Sequence, residues 1–175
     1  MFTVYDIMRE YKRLDAQTGN NIATTIPIKI SGRCVNRRGA YKYCLSIYSE
    51  KPTREEINIA SFVLAENQDT FMNTIRHEYA HAMSVRKYGH MGTGHGAKWK
   101  DCCIIVGCEP KAKCEATEAQ QAVIEKRSQH GYIIKCGCGY HYEYQKKGKI
   151  VKGLLSGVKY VCPKCGGTDL IIMEK

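Results

Sequence analysis

Apolar positions along the chain change texture from one stretch to the next, and each texture predicts an element. Phe2, Tyr5, Ile7, Met8, Tyr11 and Leu14 recur at helical spacing, which predicts an amphipathic helix over residues 2–14. Residues 26–30 and 41–48 cluster or alternate β-formers and read as strands, with a turn at 36–39 between them. Thr53-Arg54-Glu55-Glu56 has capping-box spacing and predicts a helix from there to about residue 67. A further helix is expected from residue 69 or 70 to about 87, with Ile75, Ala82 and Met83 on its buried side. The glycines of 89–94 form a flexible connection, and a short helix over 96–106 ends at Gly107. Residues 108–131 are polar, with a helix over 115–128. From residue 132 onward β-formers, glycines, lysines and cysteines take over. The expected organisation is one domain over residues 1–130 and a small β-rich module over 131–175.

Composition narrows the class. With 43% hydrophobic and 25% charged residues in 175, the chain is an ordinary soluble globular protein with room for one core and an appendage. The charge is less ordinary: 27 Lys+Arg against 17 Asp+Glu give +10, which suits a polyanionic partner such as nucleic acid. Residues 132–175 hold 8 Lys and 3 acidic residues, so about half of that excess lies in the module. Asp6, Arg9 and Glu10 interrupt any apolar run that a secretion signal would need, and no stretch is long enough for a membrane span. The expectation is a cytoplasmic protein, or a nuclear one in a eukaryote, with no membrane partner. In that setting ten cysteines are reduced or metal-bound rather than disulfide-linked.

Candidate chemistry centres on His77-Glu78-Tyr79-Ala80-His81. On a helix, residues four apart share a face, so the imidazoles of His77 and His81 can hold one metal ion. Glu78 beside them can reach a metal-bound water without ligating the metal, as a general base requires. A catalytic zinc takes a third protein ligand. His95, at the start of a new helix after the glycine-rich stretch, is the stronger candidate and His90 the competitor. Three neutral imidazoles leave a zinc strongly Lewis acidic, suited to hydrolysing a peptide bond. An oxyanion donor could come from Tyr43, Tyr88 or His90. The plainer reading is a polar stripe on a solvated helix, which the separate glycine-flanked context of His95 disfavours.

His77-Glu78-x-x-His81-Ala82 followed by His95-Gly96-x-x-Trp99 resembles the SprT-like metallopeptidases, the group that includes the Spartan proteases. The resemblance covers about residues 1–110 for the protease part and 132–172 for the module. It implies an α+β fold, a small zincin-like domain of helices packed on a short sheet followed by a β-rich zinc ribbon. It also implies His77, His81 and His95 as zinc ligands, Glu78 as the catalytic glutamate, and DNA-dependent cleavage of proteins crosslinked to DNA.

Cys136-Gly-Cys138 and Cys162-Pro-Lys-Cys165 suggest a second, four-thiolate zinc site. With no position open for substrate it is structural, and it supplies much of the stability of a module too small for a sizeable core. His141 could replace one cysteine. Bacterial SprT-like proteins resemble this arrangement of one-residue and then two-residue spacing. The cofactor expectation is therefore one catalytic and one structural zinc. Cys34, Cys44, Cys102, Cys103, Cys108 and Cys114 read as buried thiols, with Cys108 and Cys114 a weaker regulatory pair.

Tyr140, Tyr142 and Tyr144 alternate along one face of an expected strand, and Lys146, Lys147 and Lys149 follow. Aromatic rings beside lysines suit single-stranded nucleic acid, through stacking on bases and contact with phosphates. The same tyrosines could instead be the module's own core. The leading expectation is a zinc endopeptidase, a DNA repair protease whose substrates are DNA-bound or DNA-crosslinked proteins and whose partner is DNA, single-stranded by preference. The alternative is a nucleic-acid-binding zinc protein with a structural or vestigial histidine site. A third reading is an ordinary peptidase whose basic ribbon binds an acidic protein.

Overall fold

The computed structural model describes residues 1–113 and 115–175; the expected pairing of Cys108 with Cys114 lies outside the described residues. Two compact units divide at 120/121, near the start of the helix that sequence placed in the linker.

The first unit is α+β. It contains α1 (Val4–Thr18), α2 (Ile22–Thr25), β1 (Ile28–Ser31), β2 (Gly39–Cys44), β3 (Thr53–Ala60), a 3-10 turn at Ser61–Ala65, α3 (Gln68–Tyr88), a second 3-10 turn at Gly89–Gly92 and α4 (Ala97–Val106). The sheet has the order β1-β3-β2, with β1 parallel and β2 antiparallel to β3. The helix expected over 53–67 is instead this central strand followed by a 3-10 turn. Its decisive signal is period two: Ile57 and Ile59 are fully buried and alternate with the polar Glu56 and Asn58. The Thr-x-x-Glu spacing meant nothing because the backbone of Ile57 is committed to neighbouring strands on both sides.

The helices α1 and α3 supply the other half of the core. Ile7, Tyr11 and Leu14 of α1 meet Phe71, Ile75 and Tyr79 of α3, all with no exposed surface. The Tyr11 hydroxyl donates to the Ile75 carbonyl at 2.9 Å, and the Tyr11 and Tyr79 rings meet edge to face at 5.3 Å. The N-terminus of α3 is capped by Asn67, whose side chain accepts from the Thr70 N–H at 2.9 Å.

Two arginines on α3 tie it to its neighbours. Arg76 donates to Glu10 of α1 at 2.8 Å and to the Gly107 carbonyl just beyond α4 at 3.0 Å. Arg86 grips Glu55 of β3 with two bonds of 2.8 Å, and Glu55 also accepts from the Tyr41 hydroxyl of β2 at 2.6 Å. These contacts hold the helix in register with the sheet on one side and with α1 and α4 on the other.

Between α3 and α4 the chain reverses in close contact with α3. A Cβ on Gly92 would lie 2.1 Å from the Ser84 carbonyl oxygen, and the Ser84 hydroxyl donates to the Gly92 carbonyl at 2.9 Å. Only glycine lets the backbone turn this tightly on the helix. At the far end of α4, Gly107 adopts the expected left-handed conformation. The N–H of Cys108 reaches back to the Cys103 carbonyl at 2.9 Å, so the Schellman turn sets the thiols of Cys103 and Cys108 against each other.

The second unit contains most of α5 (Glu118–Ser128), then β4 (Tyr132–Cys136), β5 (His141–Tyr144), α6 (Lys149–Leu155) and β6 (Leu170–Glu174). Its sheet is antiparallel with the order β5-β4-β6. The helix α6 was not expected; it buries Val151 completely, and Ile134 and Cys162 are the other buried apolar residues of the module. Among the described residues no helix is long and apolar enough to cross a membrane.

Candidate metal centre and cleft

His77 and His81 project from one face of α3, as their spacing dictates, and the turn anchored at Gly92 brings His95 back to them. The three Nε2 atoms converge, with separations of 3.2 Å (His77–His81), 3.1 Å (His81–His95) and 3.4 Å (His77–His95). Tetrahedral zinc with bonds of about 2.0–2.1 Å sets its ligand nitrogens about 3.3 Å apart. The donor set therefore fits such an ion. Three imidazole nitrogens around one point cannot satisfy one another by hydrogen bonding, whereas a cation satisfies all three.

Burial lowers the pKa of His77 to about 4, with the His95 ring adding to the effect. Burial likewise takes His81 to about 3 and lowers His95. The rings are thus neutral at physiological pH, the form that binds a metal. His90 does not join them; its Nε2 lies 3.0 Å from the Ser46 carbonyl. Trp99 packs beneath the three rings.

Glu78 is 5% exposed, and its side chain lies against the backbone of Gly39 at the start of β2. A Cβ on Gly39 would stand 2.6 Å from both Cγ and Oε1 of Glu78. Burial raises the Glu78 pKa to about 8, against the pull of the Tyr41 N–H and the Arg37 guanidinium. A carboxyl poised in that range can both accept and return a proton near neutral pH.

These residues line a cleft of about 630 Å³ walled by β2, by Asn36–Arg38 and by Lys113. Tyr43 also lines it, stacked on Tyr41 with ring centroids 4.9 Å apart; of the three oxyanion candidates it alone does so among the described residues. Sequence gave no hint of the role of Gly39, whose steric partner is far away along the chain. Its only visible signal was that of a turn glycine.

In the second unit the four thiols of Cys136, Cys138, Cys162 and Cys165 gather with all sulfurs within 4.8 Å of one another. Cys136–Cys165 and Cys138–Cys162 are each 3.7 Å apart, close to the spacing of about 3.8 Å that tetrahedral zinc–sulfur bonds of about 2.3 Å impose. Both halves are tight turns: Gly139 N–H donates to the Cys136 carbonyl at 3.0 Å, and Gly166 N–H to the Cys162 carbonyl at 2.9 Å. Burial raises the pKa of Cys162, but the N–H groups of Cys165 and Lys164 outweigh it and bring it to about 7. The cluster is compatible with a zinc ribbon. His141 is exposed and is not one of the clustered groups.

The strand register puts Tyr142 and Tyr144 on the same sheet face as Ile134 and Ile172. Tyr144 is partly buried there, while Tyr142 is 51% exposed with its ring 4.8 Å from that of Tyr144. Tyr140 is also partly buried, and Lys146, Lys147 and Lys149 are all exposed. The row of tyrosines is therefore partly buried at both ends, Tyr140 and Tyr144, and faces solvent at Tyr142 between them.

The SprT-like family profile matches residues 7–120, the span that carries the histidines, Glu78 and the cleft. The chain belongs to the SprT-like family. Similar relatives include Protein SprT of Pseudomonas putida, 29% identical over 59% of this chain, and Protein SprT of Pseudomonas entomophila, 30% identical over 57%. Protein SprT of Klebsiella pneumoniae is 27% identical over 70% of the chain. The matches cover 60%, 58% and 68% of those relatives respectively, so the chain spans under two thirds of the Pseudomonas proteins. The SprT-like span ends at the boundary between the two units, and the cysteine cluster lies beyond it.

Proposed function

We propose that the chain is a zinc-dependent endopeptidase whose activity depends on DNA and whose substrates are DNA-bound or DNA-crosslinked proteins. The observation that carries the peptidase reading is the convergence of three neutral imidazole nitrogens beside a buried carboxyl in one open cleft. Bound by His77, His81 and His95, a zinc ion would act as Lewis acid toward water and the scissile carbonyl.

The remaining work falls to the chain itself. Among the described residues the strand β2 has a hydrogen-bonded neighbour on one edge only, and residues 39–41 and 43 line the cleft. An extended substrate can therefore add to β2 by backbone hydrogen bonding, which selects a polypeptide without demanding a particular sequence. Glu78 takes a proton from the attacking water and returns it to the leaving amine. Its contact with Gly39 fixes the carboxyl beside the strand that receives the substrate. Tyr43 lines the same cleft, which supports its phenol as the donor to the developing oxyanion.

The case for DNA rests on chemistry of the second unit: the exposed Tyr142 ring, the three exposed lysines and the +5 charge of residues 132–175. The cysteine cluster, with four thiolates and no open position, is the structural zinc site. The test is Glu78→Gln on the full chain. It should retain two zinc ions per chain yet cleave nothing; undiminished cleavage would overturn the mechanism. Cleavage of a DNA-binding protein should also rise with added single-stranded DNA and fall with salt. Equal rates throughout would remove DNA from the function and leave the peptidase.

A further inference from the structure

Trp99 is the chain's single tryptophan, and it is fully buried. Its indole touches all three rings of the histidine group at once. Ring centroids stand 4.8 Å from His77, 5.1 Å from His81 and 4.5 Å from His95. The indole is nearly parallel to His81, at 24°, and meets His77 and His95 edge to face, at 66° and 88°.

The local fold explains how one residue reaches three. His95 lies just before the N-cap of α4 and Trp99 in the helix's first turn, and their rings meet across this short stretch. The Trp99 side of α4 packs on α3 where His77 and His81 project. The indole Nε1 is buried without a hydrogen-bond partner among the described residues. An unpaired buried N–H is unfavourable, so the donor is not what the site uses; the broad ring surface is. His95 has most need of that surface, because it is the exposed member of the three and comes from the loop rather than from α3.

We propose that Trp99 is a positioning residue for the histidine group, a platform that holds the three imidazoles with their Nε2 atoms converging and so raises the site's affinity for a divalent cation. This rests on reading the group as a zinc site. A bulky core side chain between α3 and α4 would stabilise the fold whatever the histidines bind. Only a positioning role changes the affinity of a site that is already folded.

The experiment uses the full chain with Trp99→Phe and Trp99→Leu. Zinc dissociation constants for both sites are measured by competition with a chromogenic chelator, and folding is checked by circular dichroism. Loss of a residue supporting metal ligands typically weakens binding by roughly 10–100-fold. Trp99→Leu should weaken the histidine site by that factor and leave the cysteine site unchanged. Trp99→Phe, which keeps a flat ring, should lie between. The Co²⁺ absorption of the histidine site should weaken and broaden in the same order. A folded Trp99→Leu protein that binds zinc within twofold of wild type at the histidine site overturns the proposal.

Should the leucine variant fail to fold, the wild type decides. With zinc held at the cysteines, one equivalent of Co²⁺ should quench the emission of Trp99 as it fills the histidine site. Unchanged emission with that site filled overturns the platform. A wild-type chain that never takes up a second ion overturns the reading of the histidines themselves, a failure visible without any change at Trp99.

Discussion

Gly39→Ala places one methyl group where the Glu78 carboxyl, the proposed general base, now stands. Gly39 is not among the residues with positive φ, so its backbone accepts an L side chain, and the whole effect is steric. The new Cβ would lie 2.6 Å from Cγ and Oε1 of Glu78 and 2.8 Å from its Cδ. Carbon atoms in contact stand about 3.5–4.0 Å apart, so Glu78 must retreat by about 1 Å. Overpacking of this kind costs about 1–3 kcal/mol. A displacement of about 1 Å at a reacting group lowers turnover about 100-fold. The expected result is a folded protein with both zinc ions, a kcat down by one to two orders of magnitude and a KM nearly unchanged. The assay is steady-state cleavage with DNA present, alongside zinc content and urea unfolding. The double variant separates cause from coincidence. With Glu78→Ala the space is free, and Gly39→Ala should then be neutral or stabilising by about 0.5–1 kcal/mol, as alanine normally is in a strand. Wild-type kcat and stability in Gly39→Ala, or a stability loss that persists beside Glu78→Ala, would refute the reasoning.

Other features of the structure make equally definite claims. Cys162→Ser should lower zinc content from two ions to one and unfold the second unit, with the histidine site still loaded; metal analysis and NMR of residues 121–175 test this. Arg86→Ala leaves Glu55, with its side chain 14% exposed, without its cation and should cost about 2–4 kcal/mol in urea unfolding. A cost below about 0.5 kcal/mol would show that the pair is solvated. Burial raises the pKa of Glu10, but Arg13 and Arg76 outweigh it and hold the carboxyl below its ordinary value of 4.5. A depressed acid stabilises the fold above its unfolded pKa and ceases to do so as pH falls through the folded one. Glu10→Gln should therefore be destabilising at pH 7, with the difference from wild type vanishing below pH 4.5 in a pH series of unfolding curves.

Much of the site was legible because it depends on local periodicity. Four-residue spacing on α3 put His77 and His81 on one face, and short Cys-x-Cys and Cys-x-x-Cys turns brought paired thiols together. What stayed hidden depends on distant partners. Residues 53–60 carry two glutamates and a capping-box look-alike, and only insertion between β1 and β2 makes them a strand. Gly39 is a turn glycine until Glu78 is seen against it. Cys108 found Cys103 as its neighbour through a Schellman turn, a contact that its own spacing encodes but that polar flanking residues obscured. The helix α6 is one of the short elements whose existence depends on a buried anchor, here Val151.

The turn at Gly92 has a topological consequence. His77 and His81 come from one helix and His95 from the threshold of the next, so an ion shared by the three would close the intervening chain into a ring. A cross-link across a loop of about 15 residues is worth about 3 kcal/mol in lost freedom of the unfolded chain. The metal would then act as a removable staple, and the thiol cluster as a second one on the other unit. Chelation would release both at once, so that the protein's resistance to proteolysis would become a function of free zinc.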